Sequence, residues 1–348
     1  MPATRRLQFI VPGLLGPVPD PQTLAALAPD CRALARLLAR AQTLHDGLPG
    51  GEAAVCAAFG LAGPPWPVAA AARAGEADEA AVGARWWLRA DPVHMRIDTS
   101  RARLFAGYAL DLQAQEARQL IEALNVHFEA DGLHFEAPAP DRWYLGLDAA
   151  PGIDTYAPTE VVGRNVDAFM PSGKDARIWR SRINEAQMLM HDAPINAERQ
   201  RAGALPANSV WLWGGGQAPL PREAPAEVLA DDPLTRGLAR LAVDGSEPRR
   251  SSLPTNAASW EPRPGTSLAV EWGLRDPLLH GDPEAWIERL QRLETDWLVP
   301  LIERLRAGEY DELLIDPADG RRFRVTRRAL GRFWRRVRPW TEWLGEEM

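Results

Sequence analysis

Residues 183–216 read INEAQMLMHDAPINAERQRAGALPANSVWLWGGG. The stretch starts inside a helical pattern that runs from Asp175 to about Arg201, continues through GALPANS, and enters a hydrophobic strand stopped by Gly214, Gly215 and Gly216. A glycine loop directly after a strand lets the backbone approach a ligand closely. Strands and helices that alternate on either side of it, over 1–61 and 205–320, imply an α/β protein.

Reading upstream, two further strands are expected in LHFEA and RWYLGLD, preceded by a helix over 112–128 with Leu120, Leu124 and Phe128 on one face. Before that helix, WWLRADPVHMRID and RARLFAGYAL read as a pair of strands. This β-β-α-β-β run is self-contained enough to be a small α+β insertion, with limits expected at 88–204. The flanking parts, 1–87 and 205–348, then form one discontinuous core. In it, Leu7–Val11 is a buried strand, 29–42 and 51–61 are helices, and 62–84 is an irregular connection. Downstream, 217–265 offers few strong elements, SLAVEWGL reads as a strand, 283–307 as one amphipathic helix, and ELLID as a strand. Alternating strands and helices over 1–61 and 205–320 predict a largely parallel sheet flanked by helices.

Composition narrows the function. A chain of 348 residues with 46% hydrophobic content can bury a large core and supports two domains. The formal charge of −7 gives no whole-chain attraction for nucleic acid or an anionic membrane. The apolar stretch near the start is too short to span a bilayer and is interrupted by prolines, so a cytoplasmic location is expected. Cys31 and Cys56 lie in apolar helical patterns without CxxC spacing, which argues against a disulfide framework or a zinc site. The glycine run lacks GxGxxG spacing, and PSGKD lacks the Ser or Thr of a Walker loop, so nucleotide binding has little support. Of 40 basic residues only Lys174 is a lysine, a bias that discounts arginine clusters as functional signals. The tail still carries nine arginines between Arg321 and Arg338 with aromatic residues interleaved. A solvated helix face is the plainer reading; a partner-recruiting segment over 321–348 is the alternative.

The 183–216 run resembles the archaeal-type, cofactor-independent phosphoglycerate mutases, which carry a similar series of Asn-Glu, His-Pro-Val-Asn, Arg, Pro-Ala-Asn and Trp-Leu-Trp-Gly. RADPVHMRID at 89–98 and LQAQEARQLIEALN at 112–125 also resemble segments of that family. The resemblance implies an alkaline-phosphatase-like core with an inserted cap. It also implies a reaction in which two divalent metals, manganese or magnesium, activate a serine that moves a phosphoryl group between hydroxyls. Departures from the family's pattern decide the expectation. Pro12 stands where the family has its first metal-binding Asp, and Gly51 stands at the serine with Glu52 at the following aspartate. Asp276 and His280 preserve an Asp-to-His spacing of four, and Asp316 matches an aspartate whose neighbouring histidine is replaced by Pro317. NEAQMLMH, WLWGGG and FWRR resemble, more closely still, a group of bacterial RpfE-type regulatory proteins grouped with these mutases.

Three functions follow as alternatives. The first is a catalytically degenerate regulatory protein that binds a phosphorylated or acidic metabolite, with Arg164, His191, Asn196, Arg199 and Asn208 as candidate ligand contacts. The second is a metal-dependent phosphatase or phosphotransferase using one cation at Asp276, His280 and Asp316 and a metal-bound water. The plainer alternative for Asp276, His280 and Asp282 is a polar loop capping the helix after Pro283. The third function is an interaction scaffold working through the arginine-rich tail.

Overall fold

A computed structural model describes residues 4–16, 28–76, 86–98, 101–162, 164–242 and 248–345. The chain divides into two compact units, 1–64 with 220–348, and 65–219. Strands are β1 Arg5–Ile10, β2 Gln42–Leu44, β3 Trp86–Asp98, β4 Arg101–Ala106, β5 His134–Ala139, β6 Arg142–Leu147, β7 Ser209–Gly216, β8 Glu227–Leu229, β9 Arg249–Ser251, β10 Gly265–Val270, β11 Glu312–Asp316 and β12 Arg322–Thr326. The principal helices are α1 Arg32–Arg40, α2 Gly51–Ala58, α3 Val68–Glu76, α4 Ala114–Phe128, α5 Ala176–Asp192, α6 Pro194–Arg201, α7 Pro233–Leu241, α8 Pro283–Leu293 and α9 Val299–Ala307.

The first unit carries a seven-stranded sheet ordered β2-β12-β11-β1-β10-β8-β9. β1 pairs in parallel with β10 and β11, β10 with β8, and β8 with β9, whereas β12 is antiparallel to both its neighbours. The expected largely parallel sheet is therefore present. A parallel strand covered on both faces must be nearly all apolar, and Leu7, Phe9 and Ile10 of β1 are fully buried. Phe9 stacks on Trp297 with ring centroids 4.7 Å apart, and the buried Trp286 indole donates to the Gly13 carbonyl at 3.0 Å.

The region expected as one helix over 283–307 is interrupted by a π-turn at Glu294–Leu298. That turn places the Glu294 carboxylate against the amino end of α1, where it accepts from the Ala33 N–H at 2.5 Å and the Leu34 N–H at 3.0 Å. Cys31, the N-cap residue, supplies no side-chain hydrogen bond to α1. Orphan N–H groups of a buried helix start need an acceptor, and here it arrives from a distant segment. Burial pushes the Glu294 carboxyl above its ordinary range, and the two N–H bonds pull it back.

The second unit is a five-stranded antiparallel sheet, β4-β3-β6-β5, with β7 pairing β3. Helices α4 and α5 bury Leu120, Leu124, Phe128, Trp179, Ile183 and Met190 in its core. The Arg89 guanidinium is bracketed by the Tyr144 and Trp213 rings at 5.1 and 5.2 Å, and it meets Asp91 at 2.6 Å. Asp91 also accepts from the Trp213 indole at 2.7 Å and the Trp143 backbone at 3.1 Å. A buried ion pair whose carboxylate accepts further hydrogen bonds escapes the full penalty of an isolated charge.

The structure divides at 64/65 and 219/220, where the sequence suggested limits at 88 and 204. The reason is pairing: β7 is a partner of β3, and the alanine-rich α3, expected as an irregular connection, packs against both. Likewise, 217–265 contains β8, α7 and β9, and the tail is not a long helix but β12 followed by one helical turn over Arg327–Leu330.

Glu294→Ala should destabilise the protein by about 2–3 kcal/mol in urea denaturation with little change in slope, with Glu294→Gln intermediate because it keeps one acceptor oxygen.

Candidate functional site

In an open parallel sheet, ligands bind beyond the carboxyl ends of the strands. β1, β10, β8 and β11 deliver to that edge Pro12, Glu271 with Trp272, Asp231 with Asp232, and Asp316. Register fixes this grouping, because Ile10 lies opposite both Val270 and Asp316. α2 joins them through a tight turn: Gly50, at φ 94, donates its N–H to the Ala318 carbonyl at 2.8 Å. Ala318 itself adopts φ 60, held by a 2.9 Å bond from its N–H to Asp316 Oδ1.

Gly51 is the first residue of α2 and is buried. A Cβ placed there would fall 2.7 Å from Pro12 Cγ and 2.8 Å from Trp272 Cη2, and closer still to Trp272 Cζ3. The indole of Trp272 thus fills the space a side chain at 51 would need. Arg275 covers the ring, its guanidinium carbon 4.6 Å from the centroid. Arg275 also bonds Glu52 at 2.8 Å and Asp276 at 3.1 Å. Asp232 caps α7 by accepting from the Thr235 N–H at 2.8 Å. Burial raises its carboxyl, with Thr235 and the Trp272 indole opposing the shift. Glu271 is likewise raised by burial, accepts from the Gly273 N–H at 2.6 Å, and has Arg289 nearby as the attractive charge. Sequence reasoning missed Trp272, Asp232, Glu271 and Arg275. The available signal was the acid that follows each apolar strand in LADD and VEWG.

The expected metal residues have other partners. Asp276 faces Arg275, and His280 Nδ1 lies 2.9 Å from the Asp276 carbonyl oxygen. Asp282 caps α8 through the Ala285 N–H at 3.0 Å. Asp316 is 3% exposed, and burial pushes its carboxyl up to about 6 against the pull of the Ala318 N–H and Arg322. Among the described residues, no group of three or more His, Cys, Asp and Glu side chains is placed to hold a metal ion. Asp276, His280 and Asp316 therefore do not fit a manganese or magnesium ion held by those three side chains.

The candidate ligand contacts fall in the second unit, and three of them tie backbone segments together. Asn196 donates to the Met190 and Ala207 carbonyls at 2.6 and 2.7 Å and accepts from the Ala207 N–H at 3.0 Å. Arg199, 4% exposed, bonds the Leu205 carbonyl at 3.0 Å, the Leu110 carbonyl and the Glu116 carboxylate. Asn208 exchanges two bonds with the Met95 backbone at 2.7 and 2.9 Å. His191 is exposed, and Arg164 is exposed over the Phe169 ring at 5.2 Å. The neighbouring Asp192 lines a groove of about 520 Å³ with Met188, Leu189 and Ile195, across which His127 and Glu185 approach to 3.3 Å.

Known proteins share parts of this chain. The 2,3-bisphosphoglycerate-independent phosphoglycerate mutase of Methanosarcina mazei is 28% identical over 137 residues, which are 38% of this chain and 34% of that enzyme. Its counterpart in Methanosarcina barkeri is 30% identical over 110 residues, 31% of this chain and 28% of that enzyme. The matched stretch thus spans about a third of the length of these curated relatives. No family model matches the chain. Among solved structures, the PH0037 protein from Pyrococcus horikoshii superposes with a TM-score of 0.53 over 94% of this chain and 88% of its own at 13% identity, a likeness of fold.

Gly51→Ser should cost about 1–3 kcal/mol through overpacking against Trp272. In a Trp272→Ala background most of that cost should vanish, giving a coupling of at least about 1 kcal/mol in a double-mutant cycle of urea melts. Asp316 has a folded pKa raised above its unfolded value, so its favourable contribution is full below the unfolded pKa and is lost as pH rises through the folded one. Asp316→Asn should therefore stabilise the protein by about 1–3 kcal/mol near pH 8 and by little near pH 3.5. A manganese-dependent rise in the wild-type melting temperature that this variant abolishes would instead restore the metal reading.

Proposed function

We propose that this chain is a phosphoglycerate-mutase-like protein without mutase chemistry, a regulatory protein that binds a phosphorylated or acidic metabolite. The observation that carries this reading is the packing at Gly51. The position that the family resemblance assigns to the nucleophilic serine has no side chain, and the Trp272 ring and Pro12 fill the space where one would project. Serine-mediated phosphoryl transfer needs a hydroxyl there and an acceptor for its proton, and a bare backbone supplies neither.

Support for an anionic ligand comes from the charges at the same edge. The guanidinium of Arg275 reaches Glu52, Arg289 donates to the Gly273 carbonyl at 2.6 Å, and Arg322 pairs with Asp46 at 2.5 Å. A phosphate or carboxylate would exchange for a resident carboxylate as partner to a guanidinium, which matches either group bidentately. Cys31 and Cys56 are free and buried, with both thiols pushed up to about 12 by burial, in keeping with a protein of the reducing cytoplasm. Among the described residues no helix is long and apolar enough to cross a membrane.

A coupled assay of 3- and 2-phosphoglycerate interconversion with added manganese or magnesium should show no turnover above blank. Calorimetric titration with 3-phosphoglycerate should show saturable binding that Arg275→Gln weakens by roughly tenfold. Turnover that survives stringent purification and disappears in Asp276→Ala would sink the reading.

A further inference from the structure

The segment from Leu330 to Trp340 is fixed to the first unit at both ends and in its middle. Leu330 and Trp340 are buried, and the Trp340 indole donates to the Pro29 carbonyl at 3.0 Å. Between them, Arg40 donates to the Phe333 carbonyl at 3.4 Å and Arg335 to the Ala41 carbonyl at 2.6 Å. The backbone is thus held down while its largest apolar side chains face outward: Phe333 is 84% exposed, Trp334 70% and Val337 44%. The two rings meet edge to face, with centroids 5.4 Å apart.

Along the sequence of this segment the charge is of one sign. Between Arg321 and Arg338 the chain places nine arginines and none of its 47 acidic residues. Several are committed, such as Arg321 to Asp319, Arg322 to Asp46 and Arg324 to Glu312. Arg327, Arg328 and Arg336 are exposed, and Arg332 is half-buried; none of the four forms an ion pair within the described residues. Exposed aromatic side chains beside guanidinium groups are the composition that protein interfaces concentrate.

We propose that this strap docks a short acidic segment of a partner protein, whose carboxylates pair with Arg328, Arg332 and Arg336 and whose apolar side chains cover Phe333 and Trp334. Charge complementarity selects the acidic character, since a guanidinium fork matches a carboxylate bidentately. The rest of the chain selects a short segment. It carries all 47 acidic residues against 31 basic ones, so a bilayer or an extended nucleic acid would meet repulsion beyond the strap. The edge-to-face rings also offer no parallel platforms on which successive bases would stack. This docking role is independent of whether the sheet edge binds a metabolite.

The test titrates the full chain with a fluorescein-labelled synthetic peptide alternating Glu and Leu and follows anisotropy. Control peptides replace Glu by Gln or Leu by Ser, and an oligothymidylate and phosphatidylserine-containing vesicles serve as competing anions. The alternating peptide should bind saturably, and either control peptide should bind at least roughly tenfold more weakly. Phe333→Ser with Trp334→Ser, and separately Arg332→Gln with Arg336→Gln, should each weaken binding by a similar factor in proteins that keep the wild-type melting temperature. No saturable peptide binding, unchanged affinity in both folded variants, or tighter binding of the oligonucleotide or vesicles would overturn the proposal.

Discussion

The register of β1 between β10 and β11 is the constraint on which the rest of the first unit depends. Because all three run in parallel with Ile10 opposite Val270 and Asp316, the residues just beyond them must share one edge. Pro12, Trp272 and the Asp316 loop therefore converge on the amino end of α2 without any local signal requiring it. A slip of one residue would exchange the faces on which Phe9 and Ile10 pack, break the stacking of Phe9 on Trp297 and shift Pro12 relative to Trp272 and Asp316. The hydrophobic pattern that fixes the sheet thus also fixes the packing against Gly51.

The two units solve the same problem of buried polar groups in different ways. In the first, Glu294 reaches across the fold to close the open end of α1, and the π-turn is the local distortion that aims it. In the second, Arg89 and Asp91 neutralise each other two residues apart on β3, with aromatic rings on either side of the guanidinium. Asn196, Arg199 and Asn208 then fasten the connection between α6 and β7 to neighbouring backbone. Each case exchanges bonds with water for bonds within the fold, so the net gain per bond is modest while its loss is costly.

Long periodic segments were legible in the sequence. The stripe Leu120, Leu124, Phe128 marks α4, and the apolar run before Gly214 marks β7. Three-residue strands such as β8 and β9 carry too few positions for a period to register, and α3 was hidden because alanine gives helix propensity without an amphipathic face. Side-chain type suggested Arg199 as a guanidinium contact for an anion, and Asn196 stood beside it as a candidate ligand contact, but their partners are carbonyls and a carboxylate that only the tertiary fold brings near. At Gly51 the absence of a side chain was legible, but the indole that fills the adjoining space, from the end of a strand far along the chain, was not.

The packing of Trp272 against Gly51 couples the two positions. Two positions widely separated in sequence share one volume, so a chain carrying the large ring at 272 cannot take a hydroxyl at 51 by a single substitution without a steric clash. A side chain at 51 requires the ring at 272 to shrink first, a step that by itself opens a void. The pair is epistatic in the physical sense: which residue is tolerated at 51 depends on the size of the side chain at 272, and the room for the indole at 272 depends on the missing side chain at 51, so neither position can be varied freely while the other is kept.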